Sequence, residues 1–217
     1  MDERSGRESV VRTAQMMAAA GLAEAFGHVS MRSADGFLIT STLPFIVAGP
    51  DDVVLVPDPA NPPSGGDGAP LETPLHAAIY LARPDVSAIC RGHPASAVAW
   101  GVGTDDLPLL HGLGALAGGR VRVHADVDLI STLDQGNAVA ATLGDEHSVI
   151  LRANGCLAVG ATLLEALTRL YFLEERARVA MLVSADMGAT DWESRLRHTV
   201  PEMPRAMAWV EAAFGNV

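Results

Sequence analysis

The sequence predicts one layered domain that mixes helices with hairpins, an α+β or α/β arrangement. Three observations predict it. Short alternating or valine-rich stretches end in turn residues, as half-buried strands do. Between them lie longer stretches with apolar residues at helical spacing. The length, 217 residues, suits one domain with a short tail, and 49% apolar residues are enough to fill its core.

The elements follow in order. Val10 to Ala25 carries Val10, Ala14, Met17 and Leu22 on one helical face. His28 to Arg32 alternates, Ala34-Asp35-Gly36 turns, and Phe37 to Thr40 returns, which is a hairpin pattern with Asp-Gly at its corner. Asp52 to Val56 is a short valine-rich strand. Asp58 to Pro70 is rich in proline and glycine and reads as a loop. Thr73 to Ala82 is a helix, with Pro74 in the first turn, where a missing N–H costs nothing. Val86 to Cys90 is a buried strand, Ala95 to Trp100 a short helix, Val121 to His124 a strand, and Leu133 to Leu143 a helix. Ser148 to Leu151 and Cys156 to Val159 read as paired strands around an Asn154-Gly155 corner. Thr162 opens the longest helix, to about Val183, with Glu165 as capping-box partner. Residues 1–190 are thus read as the domain. Residues 191–217, with Trp192 and Trp209, form a helical tail that packs on it or on a neighbouring subunit.

Charge and composition exclude whole classes. Asp plus Glu number 26 against 15 Lys plus Arg, for a net charge of -11. That excludes the basic face of a nucleic-acid binder and disfavours docking on an anionic membrane. All 15 cations are arginines. Without lysine there is no Schiff-base aldolase, pyridoxal-phosphate enzyme or P-loop nucleotidase. Two cysteines set no disulfide framework, and no basic segment followed by an apolar run marks a signal peptide. The expected location is the cytoplasm. Cys90 and Cys156 read as small buried hydrophobes, and Tyr80 and Tyr171 as core.

Five fragments in order carry a more specific signal: Gly27-His28-Val29-Ser30-Met31-Arg32, Glu72-Thr73-Pro74-Leu75-His76, Arg83-Pro84-Asp85, Arg91-Gly92-His93-Pro94, and Asn154-Gly155 with Gly160 and Glu165. Their order and spacing resemble the class II aldolase/adducin family from about Ser9 to Ala185. The resemblance implies a three-layer α/β/α domain around a largely antiparallel sheet. It also implies a homo-oligomer, usually a tetramer, with the active site at a subunit interface. Family enzymes hold a divalent metal on three histidines and use a glutamate, four residues before a helix histidine, to move protons. They cleave or epimerise sugar phosphates or decarboxylate aromatic dicarboxylates.

Matched residue by residue, the glutamate is Glu72 and the helix histidine His76. The first metal-binding histidine is replaced by Arg91, the second is His93, and the third is Asn154. A guanidinium offers no lone pair and stays charged, so a family-type metal site is not expected here, and no cofactor is required. The rival is a rebuilt zinc or manganese site on His93, Glu72 and His28 or His124. In the metal-free reading, Arg91 stands in for the ion's charge, Asn154 adds a donor, His93 shuttles a proton and Glu72 is the general acid or base. His28, Ser30, Thr40, Ser41 and His76 are the expected substrate contacts. Pro70 and Leu71 before the glutamate, and Thr42-Leu43-Pro44-Phe45 after Ser41, make a poor phosphate cradle. The expected substrate is therefore a small non-phosphorylated carbonyl or carboxylate compound, and the expected enzyme a carbon–carbon lyase or isomerase. The alternative from another class is a non-catalytic scaffold like the adducin head.

Overall fold

A computed structural model describes residues 2–183 and 197–217. Within them, six helices and eight strands form three layers. The helices are α1 (Glu3–Ala19), α2 (Thr73–Ala82), α3 (Ala95–Gly101), α4 (Leu133–Leu143), α5 (Leu163–Leu182) and α6 (Met203–Phe214). The strands are β1 (His28–Ser33), β2 (Gly36–Ile39), β3 (Val54–Val56), β4 (Ala88–Gly92), β5 (Asp106–Leu107), β6 (Val121–His124), β7 (Ser148–Leu151) and β8 (Gly155–Gly160). They make one sheet in the order β3-β2-β1-β4-β8-β7-β6-β5. Among these strands only the β6–β7 pair runs parallel, so the sheet is largely antiparallel as expected.

Strand alternation sorts the core into two sides. Val29, Cys90, Ile150, Cys156 and Ala158 face the layer of α1, α3, α5 and α6. Ile89, Val149, Leu151, Leu157 and Val159 face α2 and α4. Because successive strand residues point to opposite faces, His28, Ser30 and Arg91 share the α2 side with Ile89. The sheet register sets His28 directly opposite Arg91.

Most expected elements stand where they were read, and the differences have local causes. Helix α1 starts seven residues earlier than the apolar pattern indicated, because the Asp2 carboxylate accepts from Ser5 N and caps it. It ends before Gly21, which is left-handed at φ +69°. The β1–β2 corner is fixed by Gly36 (φ +127°), where an added Cβ would lie 2.0 Å from the Val56 carbonyl oxygen. At the β7–β8 corner the left-handed residue is Ala153 (φ 53°), one position before Asn154. Glu165 N donates to Thr162 Oγ1 as expected, but the Glu165 carboxylate accepts from Ala161 N, one residue upstream of the cap. The two-residue strand β5 and the 3-10 turn Gly112–Ala117 were not read from the sequence. Arg176 of α5 holds that region by donating to the carbonyls of Leu107, Pro108, Gly118 and Gly119.

Helix α6 packs on its own domain. Trp209 sits 5.2 Å from the Tyr171 ring of α5, and Arg12 of α1 pairs with Glu211. Trp209 thus packs on its own domain on one side and stays 48% exposed on the other, whereas Trp192 lies outside the described residues. Among the described residues no helix is long and apolar enough to cross a membrane.

Candidate active site

Helix α2 and strand β1 face each other as two rows of polar side chains. Glu72, His76 and Tyr80 recur every four residues, about 6 Å apart along the helix. His28, Ser30 and Arg32 recur every two residues, about 6.7 Å apart along the strand. The near match of the two repeats lets the rows pair. Ser30 Oγ lies 2.7 Å from His76 Nδ1 and 2.8 Å from the Tyr80 hydroxyl. The Arg32 guanidinium lies 4.7 Å from the Tyr80 ring centroid and donates to the Tyr80, Arg83 and Val86 carbonyls. The first pair, His28 with Glu72, stays 3.9 Å apart, from Nδ1 to Oε2.

Glu72 is the residue just before α2, a position from which a side chain often caps the helix. Its carboxylate caps nothing. It turns to the sheet and accepts from Arg91 Nη2, at 2.9 Å and 3.3 Å to its two oxygens. Arg91 is fully buried and Glu72 is 4% exposed. The other terminal nitrogen, Arg91 Nη1, donates to the His93 ring, while Arg91 Nε is buried without a partner. Room for this arrangement comes from Gly155. A Cβ there would lie 2.4 Å from the Gly92 carbonyl oxygen and 3.0 Å from Arg91 Nη1.

The pair lies at the floor of a cavity of about 420 Å³. Its polar lining is Glu24, His28, Ser41, Thr42, Glu72, Arg91, His93 and Asn154. Its apolar lining includes Phe26, Leu43, Phe45, Pro70, Leu71 and Leu129. Of the residues the sequence singled out, the fold therefore brings Glu72, Arg91, His93, Asn154, His28 and Ser41 to one place. Ser30, Thr40 and His76 are almost fully buried and do not line this cavity. Thr40 Oγ1 instead accepts from Val29 N. Tyr80, read as core, ends the polar row. The signal for it was its spacing of eight residues from Glu72. Phe26 and Leu129 were missed because nothing local marks a loop residue as a cavity wall.

Electrostatics separate the histidines. Burial and the nearby Arg91 charge push His76 down to about 3. Burial first, then His76, Arg91 and His93, hold His28 well below the ordinary imidazole value. Burial and Arg91 bring His93 down to about 4. All three are neutral imidazoles near pH 7. His93 is also fully engaged. Its Nδ1 donates to the Phe26 carbonyl at 3.1 Å, which leaves Nε2 to accept from Arg91. This differs from the proton-shuttle role read from sequence, since no ring nitrogen is left over. Cys90 and Cys156 are buried thiols pushed upward by that burial, and neither lines the cavity.

A three-histidine metal set does not fit these residues. The guanidinium occupies the place of one ligand and already hydrogen-bonds the remaining imidazole. Among the described residues no three His, Cys, Asp or Glu side chains are grouped to hold an ion. His124, a member of the rebuilt set considered above, lies away from the cavity with its Nδ1 2.9 Å from Thr142 Oγ1.

Comparison with known proteins identifies relatives of the whole domain. The family model described as Class II Aldolase and Adducin N-terminal domain matches residues 8–181. A 3,4-dihydroxyphthalate decarboxylase of Rhodococcus jostii (strain RHA1) is 29% identical over 214 residues, covering 88% of each chain. An L-fuculose phosphate aldolase of Escherichia coli (strain K12) is 28% identical over 160 residues, covering 73% of this chain and 74% of the aldolase. The crystal structure of L-fuculose-1-phosphate aldolase from Thermus thermophilus superposes with a TM-score of 0.73 at 29% identity, covering 82% of this chain and 96% of that one.

Proposed function

The chain belongs to the class II aldolase/adducin family, and from that premise we propose that it is a carbon–carbon lyase acting on a small, non-phosphorylated carboxylate. The reaction that fits best is decarboxylation. The observation that carries this reading is the Arg91–Glu72 ion pair at the cavity floor. Burying two charges rarely stabilises a fold relative to apolar side chains of the same size. A buried pair facing a cavity is therefore better explained by chemistry than by stability.

The roles follow from the geometry. Arg91 is a fixed cation beside which negative charge can build up on the substrate, without a metal. Asn154 adds an amide to the lining, beside His93. Glu72 is the carboxylate of the acid–base machinery. Leu43, Phe45, Pro70 and Leu71 would press apolar surface on a phosphate but suit the flat body of an aromatic acid. The decarboxylases among the relatives act, by their names, on such an acid, 3,4-dihydroxyphthalate. An open cavity also speaks against a purely structural role.

The test is a direct comparison of two substrates with purified protein in chelator-treated buffer. CO₂ release from 3,4-dihydroxyphthalate, with no cleavage of L-fuculose 1-phosphate, supports the reading. Cleavage of the sugar phosphate alone would overturn it.

A further inference from the structure

We propose that His28 is the proton donor of this lyase, carried by Glu72 on one side and backed by the buried Tyr80–Ser30–His76 chain on the other. The inference rests on the decarboxylase reading above and names a catalytic residue for it.

Elimination comes first. A lyase of this kind must return a proton to the carbon that loses its carboxylate. His93 has both ring nitrogens engaged, with the Phe26 carbonyl and with Arg91. His76 is fully buried and outside the cavity wall. Glu72 is held by Arg91. His28 alone among these lines the cavity and makes no hydrogen bond to the protein, with its Nδ1 buried and unpartnered.

An unsatisfied buried nitrogen in a functional cavity points to a partner that arrives later. Its setting says what that partner brings. Nδ1 is 3.9 Å from Glu72 Oε2, just beyond hydrogen-bond reach, and such contacts tighten in substrate complexes. The other charged and titratable groups around the ring are His76, Arg91 and His93. Burial first, and then these neighbours, disfavour a charge on the ring. An anionic substrate supplies the missing negative charge. His28 then takes up a proton, and the imidazolium donates from Nδ1 to Glu72 while Nε2–H meets the substrate. In the step itself, the bond between the carboxylate carbon and its parent carbon breaks. Its electron pair stays on the parent carbon and CO₂ leaves. The Nε2 proton passes to that carbon, and the ring is neutral again until the next substrate draws a proton from water.

The chain behind the ring sets its orientation. The Tyr80 hydroxyl, Ser30 Oγ and His76 Nδ1 form one buried hydrogen-bonded chain. His76 Nε2 is buried with no partner. That ring meets His28 edge-on, 5.7 Å between centroids at 65°. His76 thus backs His28 with a neutral ring, and Ser30 and Tyr80 act as positioning residues through it.

The test uses His28→Gln, with phthalate as a non-reacting probe and 3,4-dihydroxyphthalate as substrate. The expected result is phthalate affinity within about threefold of wild type, KM little changed, and kcat lowered at least 100-fold, in the range of a lost general acid. Calorimetry in two buffers of different ionisation enthalpy should show proton uptake on phthalate binding in the wild type and none in the variant. Retained kcat, or equal loss of binding and turnover, overturns the assignment. If the wild type binds phthalate but releases no CO₂, the decarboxylase reading fails. His28 is then judged by its ring ¹⁵N signals, and no change on phthalate binding refutes its role. A wild type that binds no phthalate removes both.

Discussion

Replacing Arg91 by methionine separates what the buried ion pair does for the fold from what it does for the reaction. Arg91 is fully buried and Glu72 is 4% exposed, so removing the cation leaves a carboxylate with no charge partner and little water. Such a change costs about 3–5 kcal/mol. In a domain of this length that corresponds to a melting temperature lower by roughly 6–20 °C, at about 2–4 °C per kcal/mol. Adding Glu72→Leu to Arg91→Met removes the stranded charge, and most of the loss should return. The double variant should melt within a few degrees of wild type and have no activity. Urea and thermal unfolding followed by circular dichroism give the stabilities, and CO₂ release gives the activity. A single variant less than about 1 kcal/mol below wild type would refute the claim that Arg91 compensates Glu72. A double variant as unstable as the single would show the pair to be structural.

Other perturbations reach the same account by different routes. Glu72→Gln keeps shape and a carbonyl acceptor, so it should stay folded by circular dichroism while kcat falls at least 100-fold. Arg91→His with Asn154→His puts imidazoles back at two positions beside His93. Calorimetry should then show stoichiometric zinc binding that the wild type lacks, and a double variant without zinc affinity would show that the three positions do not converge. Stability should also fall with acid. His76 titrates near 3 in the fold and near 6.5 when unfolded, so between those values the unfolded chain binds more protons. Its contribution is whole above about pH 6.5 and declines as pH drops toward 3. From pH 7 to pH 5 the loss is about 2 kcal/mol. In urea unfolding at the two pH values, His76→Asn should lack that part of the loss, and an unchanged pH dependence would contradict the assignment.

The sequence was most legible where one local rule decides the outcome. Thr73–Ala82 and Leu133–Leu143 stand as read because local signals agree there: apolar periodicity with Pro74 in the first turn of one, and with the Thr132 cap on the other. The start of α1 was missed because its first turns are polar and are held by a single side-chain cap, Asp2. Strand β5 is too short to carry a pattern, and it is fixed by Arg176, about seventy residues away in the chain. At the site, the spaced fragments were enough to find Glu72, Arg91, His93 and Asn154. What the fragments could not give was direction. Ser30 bonds to His76 Nδ1, and both stay out of the cavity lining. His93 spends both nitrogens locally, and His28 is left with neither in use. Such outcomes depend on the β1–β4 register and the phase of α2, neither of which a one-dimensional pattern contains.

The central claim is that the Arg91 guanidinium does the work of an ion. Its most direct test is the metal content and chelator response of one protein sample, assayed on 3,4-dihydroxyphthalate. Elemental analysis should find zinc and manganese far below one per chain, and turnover should survive dialysis against EDTA unchanged. One tightly held equivalent on His93, whose removal abolishes turnover and whose return restores it, would contradict the account.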